Sequence, residues 1–173
     1  FFKDNLDAAS GRFKTAEQLR AEFAPLLGAA GAAEVVHQCG SGVTACHNVL
    51  AMELAGLPGD YAEPGGQLLL ALVDGELAGR GGFRALPEVD HANACEMKRL
   101  YVRPAFRRFG LGRLLAQALM DRGLQAGYHT LLLDTLDDME AARGLYASLG
   151  FEETAPYYFN PIPGAHYLKV DLG

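Results

Sequence analysis

Tryptophan is absent, and 173 residues hold only 3 cysteines. Cys39, Cys46 and Cys95 form an odd set with no CxxC spacing, which excludes a disulfide framework or zinc scaffold and fits a reducing compartment, so a cytoplasmic protein without a bound metal is expected. Basic charge is in deficit: 15 Lys plus Arg against 21 Asp plus Glu leave a net charge of −6, the wrong balance for a general binder of nucleic acid. No apolar run approaches the roughly 20 residues that span a bilayer, and the longest aliphatic stretch, Leu68 to Val73, has strand length. Neither nucleic acid nor membrane is therefore expected as a partner. Internal repeats and low-complexity segments are missing too. The start, Phe1-Phe2-Lys3-Asp4, has no basic n-region, apolar h-region or initiator Met, so the expectation is a chain truncated at its N-terminus rather than a secretory precursor.

What is present is the profile of a globular α/β protein. Half of the residues are hydrophobic, 21% are charged, and 21 glycines with 8 prolines supply turns. Thr15 and Gln18 make a capping-box pattern ahead of Leu19, Phe23 and Leu26, so a short helix is expected from Ala16, limited by Pro25. Residues 34–38 read as a buried strand, Cys39-Gly40-Ser41-Gly42 as a loop, and Thr44 onward as a helix closed by Gly56 and Pro58. Gln67 to Val73 and Glu76 to Leu86 read as strands joined at the Asp74-Gly75 hairpin turn, and Ala94 to Val102 as a third strand. Gly110 to Ala126 follows as a helix with Leu111, Leu114, Leu115, Ala118 and Leu119 on one stripe. A strand over Thr130 to Asp134, a helix over Met139 to Leu149, a strand from Phe151 and a last strand from Tyr167 to Leu172 complete the order.

The segment Arg107-Arg108-Phe109-Gly110-Leu111-Gly112 lies between a strand and an amphipathic helix. Glycines permit close backbone approach, the first amides of a helix lack internal partners, and the helix dipole adds positive potential, so the loop suits a pyrophosphate. Arg103, Arg107, Arg108 and Arg113 concentrate four of the 15 basic residues within the eleven positions 103–113 of an acidic chain. Read with Lys98-Arg99-Leu100-Tyr101-Val102-Arg103-Pro104 before it and Leu145-Tyr146-Ala147-Ser148-Leu149-Gly150-Phe151 after it, the stretch resembles the GNAT superfamily of acetyl-CoA-dependent N-acetyltransferases. The resemblance covers about residues 59–173 and includes Tyr157-Tyr158-Phe159-Asn160-Pro161.

The resemblance implies a mixed, largely antiparallel sheet flanked by helices and direct attack of a primary amine, on a small molecule or a peptide, on the thioester of acetyl-CoA. Carried over by position, Leu100, Tyr101 and Val102 would offer backbone hydrogen bonds to the pantetheine arm. Arg107 would occupy the family's Gln/Arg position, and amides of Arg108, Phe109, Gly110, Leu111, Gly112 and Arg113 would hold the pyrophosphate. Tyr146 would protonate the departing thiolate. Met139 departs from the pattern, since many relatives carry a cofactor-binding Asn there. Glu96 is the candidate general base, because strand alternation sets it opposite Cys95 and Met97; the rival reading is an ion pair with Lys98 or Arg99. Asp134, His129 and His166 are further candidates, and Cys95 is expected in the core.

A second resemblance covers about residues 11–58, from Gly11-Arg12-Phe13-Lys14 through Val36-His37-Gln38-Cys39 to Leu54-Ala55-Gly56-Leu57-Pro58, which is similar to the C-terminal part of a rhodanese domain. It implies Cys39 as a persulfide-forming sulfur acceptor, its thiol acidified by the loop and the helix that follows. The expected organisation is a partial rhodanese-like segment over 1–58 and a GNAT acetyltransferase domain over 59–173, joined near Gly56 to Asp60. Sulfur transfer through Cys39 and a non-catalytic acyl-CoA-binding relic or chimera are the alternatives to acetyl transfer, and a homodimer stands beside the amine among the partners considered.

Overall fold

The computed structural model describes residues 2–27, 48, 50–52, 55, 61 and 64–173, within two compact units, Phe1–Glu63 and Pro64–Gly173. In the first unit the capping box forms in both directions: the Gln18 amide donates to Thr15 Oγ1 at 3.3 Å, and the Thr15 amide to Gln18 Oε1 at 3.0 Å. Helix α1 spans Ala16–Leu27 and contains Pro25. Pro25 stands in the last turn, so it forfeits one backbone bond without ending the helix ahead of itself. Leu19 is fully buried with Ala51 and Ala55, and Phe13 and Phe23 pack on them. Leu26 departs from the expected stripe and is 80% exposed. Residues 48 and 50–52 are helical, as the pattern after Thr44 led one to expect. The expected strand at 34–38, the Cys39 loop and the join at 56–60 lie outside the described residues.

The second unit is built on one sheet of order β1-β2-β3-β4-β6-β5, with β1 Gln67–Val73, β2 Glu76–Ala85, β3 Ala94–Val102, β4 Thr130–Leu136, β5 Glu152–Glu153 and β6 Ala165–Asp171. All neighbours are antiparallel except β3 and β4. That parallel pair needs a crossover, supplied by helix α2, Leu111–Gln125; helix α3, Glu140–Ser148, follows β4. The strand expected from Phe151 shrinks to two residues, because Pro156 and the loop beyond it interrupt pairing, and β6 begins two residues earlier than its apolar pattern suggested.

One sheet face is apolar: Phe83, Cys95, Met97, Leu131, Leu133 and Leu168 form the core, with Ala116 and Leu119 of α2 and Tyr146 of α3. The buried side of α2 is Leu115, Ala116, Leu119 and Gly123, so the expected stripe is rotated and Leu114 is 61% exposed. Helix and sheet meet closely where β2 carries glycine. A Cβ on Gly79 would lie 2.9 Å from the Tyr101 carbonyl oxygen and 3.0 Å from Leu115 Cδ1. Gly79→Ala is expected to destabilise the protein by about 1–3 kcal/mol through overpacking, seen as a lower urea midpoint; an unchanged midpoint would show that α2 has room to move.

Candidate active site

Strand β3 changes character halfway along. Arg80 pairs with Tyr101 and Gly82 with Lys98, so Gly81 faces two residues, Arg99 and Leu100. Arg99 takes φ 63°, a conformation disfavoured for a side chain with a Cβ, which marks a β-bulge. The extra residue resets alternation, so Leu100 joins Met97 against the core while Tyr101 shares the opposite face with Lys98. Pairing of β3 with β4 runs only from Ala94 with Thr130 to Glu96 with Leu132, although both strands continue. Beyond Glu96 the seam is unpaired, and Leu100, Tyr101 and Val102 border it. The Val102 carbonyl already accepts a hydrogen bond from Arg107 Nε at 2.9 Å.

At the end of β3 the chain makes a single 3-10 turn over Pro104–Phe106 and enters α2 through Arg107–Gly110. Arg108 has φ 69° and Gly110 φ 76°, and such local left-handed residues turn successive amides toward one concavity. None of the amides from Arg108 to Arg113 has an acceptor among the described residues; the first bond is Leu114 N–H to the Gly110 carbonyl at 3.1 Å. Three guanidinium groups are anchored: Arg103 to the Leu77 carbonyl, Arg107 to Val102, and Arg113 to Ser148 Oγ. Arg108 has no side-chain partner among the described residues and stays available to an anion.

Tyr146, on α3, buries its ring against Phe151 with centroids 5.5 Å apart. Its hydroxyl has no hydrogen-bond partner among the described residues. Burial, with the Asp134 carboxylate adding to it, pushes the phenol up to about 12, so it keeps its proton at neutral pH. Met139 caps α3 without a side-chain bond and is 47% exposed.

The other face of the sheet is charged. Glu96 is 1% exposed, and all its acceptor positions are engaged: Arg84 donates to Oε2 from Nε at 3.2 Å and from Nη2 at 3.0 Å, while Lys98 at 3.0 Å and the Tyr157 hydroxyl at 2.9 Å reach Oε1. Lys98 also pairs with Asp134, which accepts from Asn160 Nδ2 at 3.2 Å. Burial works against the Lys98 charge, but Glu96 and Asp134 outweigh it and raise its pKa. Burial and Glu96 likewise raise the Tyr157 phenol, and burial with Asp134 pushes Tyr158 up to about 12. Glu96→Gln is expected to cost about 3 kcal/mol, because it leaves two cations without their shared anion; an unchanged denaturant midpoint would show that the charges balance without it.

Of the remaining candidates, His166 bridges Asp137 at 2.6 Å and Glu153 at 2.9 Å, far from a free base. The His129 backbone ties β4 to Asn93 and Leu172. Cys95 is fully buried, and desolvation pushes its thiol up to about 12, which suits a core residue. Cys39 lies outside the described residues. Arg84, the second cation on Glu96, and Tyr157, its neutral donor, were missed by sequence reasoning. Arg80 and Arg84 four residues apart in the Gly-rich strand β2 carried a signal, since even spacing sets both on one face. Tyr157 comes from a loop and leaves no such periodicity. Among the described residues no helix is long and apolar enough to cross a membrane, and no cluster could hold a metal ion.

Comparison with known proteins speaks to the family and the fold. The model of the acetyltransferase (GNAT) family matches residues 43–151 and so begins inside the 1–58 segment. An uncharacterised N-acetyltransferase of Schizosaccharomyces pombe is 40% identical over 120 residues, which is 69% of this chain and 72% of that protein. A Salmonella typhimurium structure described as an acetyltransferase with its cofactor acetyl-CoA shares the fold with a TM-score of 0.57 at 22% identity, over 94% of this chain and 92% of that one. A protein named as a 3-mercaptopyruvate sulfurtransferase of Pseudomonas aeruginosa is 53% identical over 57 residues, 33% of this chain and 20% of that protein. A family model that spans more than half of the chain, with a relative 40% identical over most of its own length, shows that the chain belongs to the acetyltransferase (GNAT) family.

Proposed function

We propose that the chain transfers an acetyl group from acetyl-CoA to a primary amine by direct attack. The observation that carries this reading is the run of six unpaired amides, Arg108 to Arg113, next to the seam that opens beyond Glu96. Bound there, acetyl-CoA would supply an activated thioester: the amine nitrogen bonds to the acyl carbon as the carbon–sulfur bond breaks, and the products are an acetamide and the free thiol. Amides 108–113 and the Arg108 guanidinium fit the pyrophosphate, and the unpaired edge of β3 at Leu100 and Tyr101 fits the pantetheine arm. Arg107 orients the end of β3 through Val102 rather than reaching outward. Tyr146 is the donor to the leaving sulfur.

Glu96 serves this reading as proton acceptor only by exchange. Tyr157 is the neutral donor on it, and a substrate ammonium displacing that hydroxyl would reach Oε1. Arg84 and Lys98 meanwhile hold the carboxylate in place. The test is thiol release from acetyl-CoA over a panel of amines. Release that depends on the amine and yields its acetamide supports the reading; amine-independent release, or none from a chain that binds the cofactor, counts against it.

Residues 11–58 are proposed as a rhodanese-like segment joined to an acetyltransferase domain over 59–173, a reading supported by the 57-residue sulfurtransferase match. Because the match spans 20% of that protein, sulfur transfer through Cys39 is the weaker activity. Cyanide-dependent thiocyanate formation lost in Cys39→Ser would favour it; no thiocyanate from the unaltered chain would dismiss it.

A further inference from the structure

We propose that the acceptor is a primary amine that also carries a carboxylate, and that the buried guanidinium of Arg80 receives that carboxylate. The proposal rests on the acetyl-transfer reading and names the substrate class of the same site. Arg80 is 6% exposed, and its Nε is buried without a hydrogen-bond partner among the described residues. No carboxylate lies within ion-pairing distance of it among the described residues. Its guanidinium carbon stands over the Tyr101 ring, 5.1 Å from the ring centroid.

The contrast with its neighbours is chemical. Arg84 and Lys98 share this sheet face, and each is neutralised: Arg84 by Glu96, Lys98 by Glu96 and Asp134. Among the described residues that β2 and β3 place on this face, Arg80 is thus the cation without a carboxylate partner. Arginine does not discharge at any ordinary pH, and a buried cation without a counter-charge is costly to maintain. Its planar fork matches a carboxylate in two parallel hydrogen bonds, so a ligand carboxylate would satisfy both the charge and the orphaned donor.

Position supplies the second half of the inference. Arg80 pairs with Tyr101, beyond the bulge, where β3 no longer pairs with β4. It stands one strand away from the open seam in which the amine must meet the thioester. Adjacent strands lie ~5 Å apart, so amine and carboxylate would be separated by one to two such spacings, on the order of 5–10 Å. At the ~1.2 Å that an extended chain advances per bond, that separation suits an ω-amino acid of roughly four to eight carbons rather than an α-amino acid.

The experiment compares kcat/KM for 4-aminobutyrate, 6-aminohexanoate and 8-aminooctanoate with that for the amide of each, in the wild-type chain, Arg80→Met and Arg80→Lys. Acetyl-CoA titration and thermal melting of each variant establish that it is folded with a cofactor site. At least one acid is expected to exceed its amide by about 10–100-fold, the usual strength of a charge-assisted hydrogen bond. In Arg80→Met the ratio should fall to near one, and Arg80→Lys, which keeps charge but loses the fork, should fall between. If Arg80→Met does not fold, Arg80→Lys carries the comparison. A merely structural role would lower acid and amide together and keep the ratio. An unchanged ratio overturns the proposal, as does preference for the amides or for O-phosphoethanolamine. Acetyl-CoA binding without acetylation of any acid overturns it while sparing the cofactor site; failure to bind acetyl-CoA removes the acetyl-transfer reading itself.

Discussion

Tyr146→Phe is expected to lower kcat for acetyl transfer by on the order of 10²–10⁴-fold while leaving acetyl-CoA affinity nearly unchanged. The ring is part of the core against Phe151, and phenylalanine preserves that packing. Only the hydroxyl is removed, and it has no partner among the described residues whose loss would disturb the fold. A thiol titrates near 8.5, well below the phenol's value of about 12. Tyr146 thus holds its proton across the neutral range, and it serves the leaving sulfur as a hydrogen-bond donor more readily than as a strong acid. Two consequences can be read separately. The loss should fall on kcat rather than on KM for acetyl-CoA, and it should be smaller for a thioester whose thiol is more acidic, because such a sulfur needs less help to leave. A variant that retains full kcat would remove Tyr146 from the chemistry and leave it a core residue.

Arg108→Glu is the second large effect, and it should fall on binding instead. Arg103, Arg107 and Arg113 are each anchored to carbonyl or hydroxyl oxygen, whereas Arg108 has no such anchor among the described residues. Its guanidinium therefore remains to meet an anion over the unpaired amides, and the charge-assisted contact is worth about 1.5–3 kcal/mol. Reversal adds repulsion to that loss. The expected result is a fall in acetyl-CoA affinity of about 10–100-fold or more, with a melting temperature close to wild type, since the side chain has no hydrogen-bond or ion-pair partner among the described residues. Raising ionic strength should weaken wild-type binding and narrow the gap between the two proteins, because exposed charges are screened. Equal affinities would mean that the pyrophosphate is held elsewhere.

Local signals made most of the described elements legible in both units. Thr15 and Gln18 gave the start of α1, Asp74-Gly75 the first hairpin, and alternating or continuous apolar runs β1 to β4, because these patterns depend on neighbours in sequence. The cradle was legible for the same reason: glycine, arginine and the start of a helix occur within one short stretch. The bulge at Arg99 was not, since nothing in Lys98-Arg99-Leu100 announces the left-handed φ that shifts Tyr101 onto the charged face. Arg84 was missed as a partner of Glu96 because their meeting depends on cross-strand register. Tyr157 arrives from 61 residues away in a proline-flanked loop. Strand alternation placed Glu96 opposite Cys95 and Met97, yet it carried no information about how many donors would converge on the carboxylate. Leu26 and Leu114 fail in the other direction: each fits a helical stripe by spacing and is exposed because the packed face is rotated.

The central claim is that amides 108–113 and the open β3 edge together hold acetyl-CoA. It is tested most directly by calorimetric titration of the chain with acetyl-CoA and, in parallel, with S-acetylpantetheine, which has the same thioester and arm without the pyrophosphate. The expected result is saturable binding of one acetyl-CoA per chain, with S-acetylpantetheine weaker by about 100-fold, as befits two or more lost charge-assisted contacts. Equal affinity for the two compounds, or no binding of acetyl-CoA by the folded chain, would contradict it.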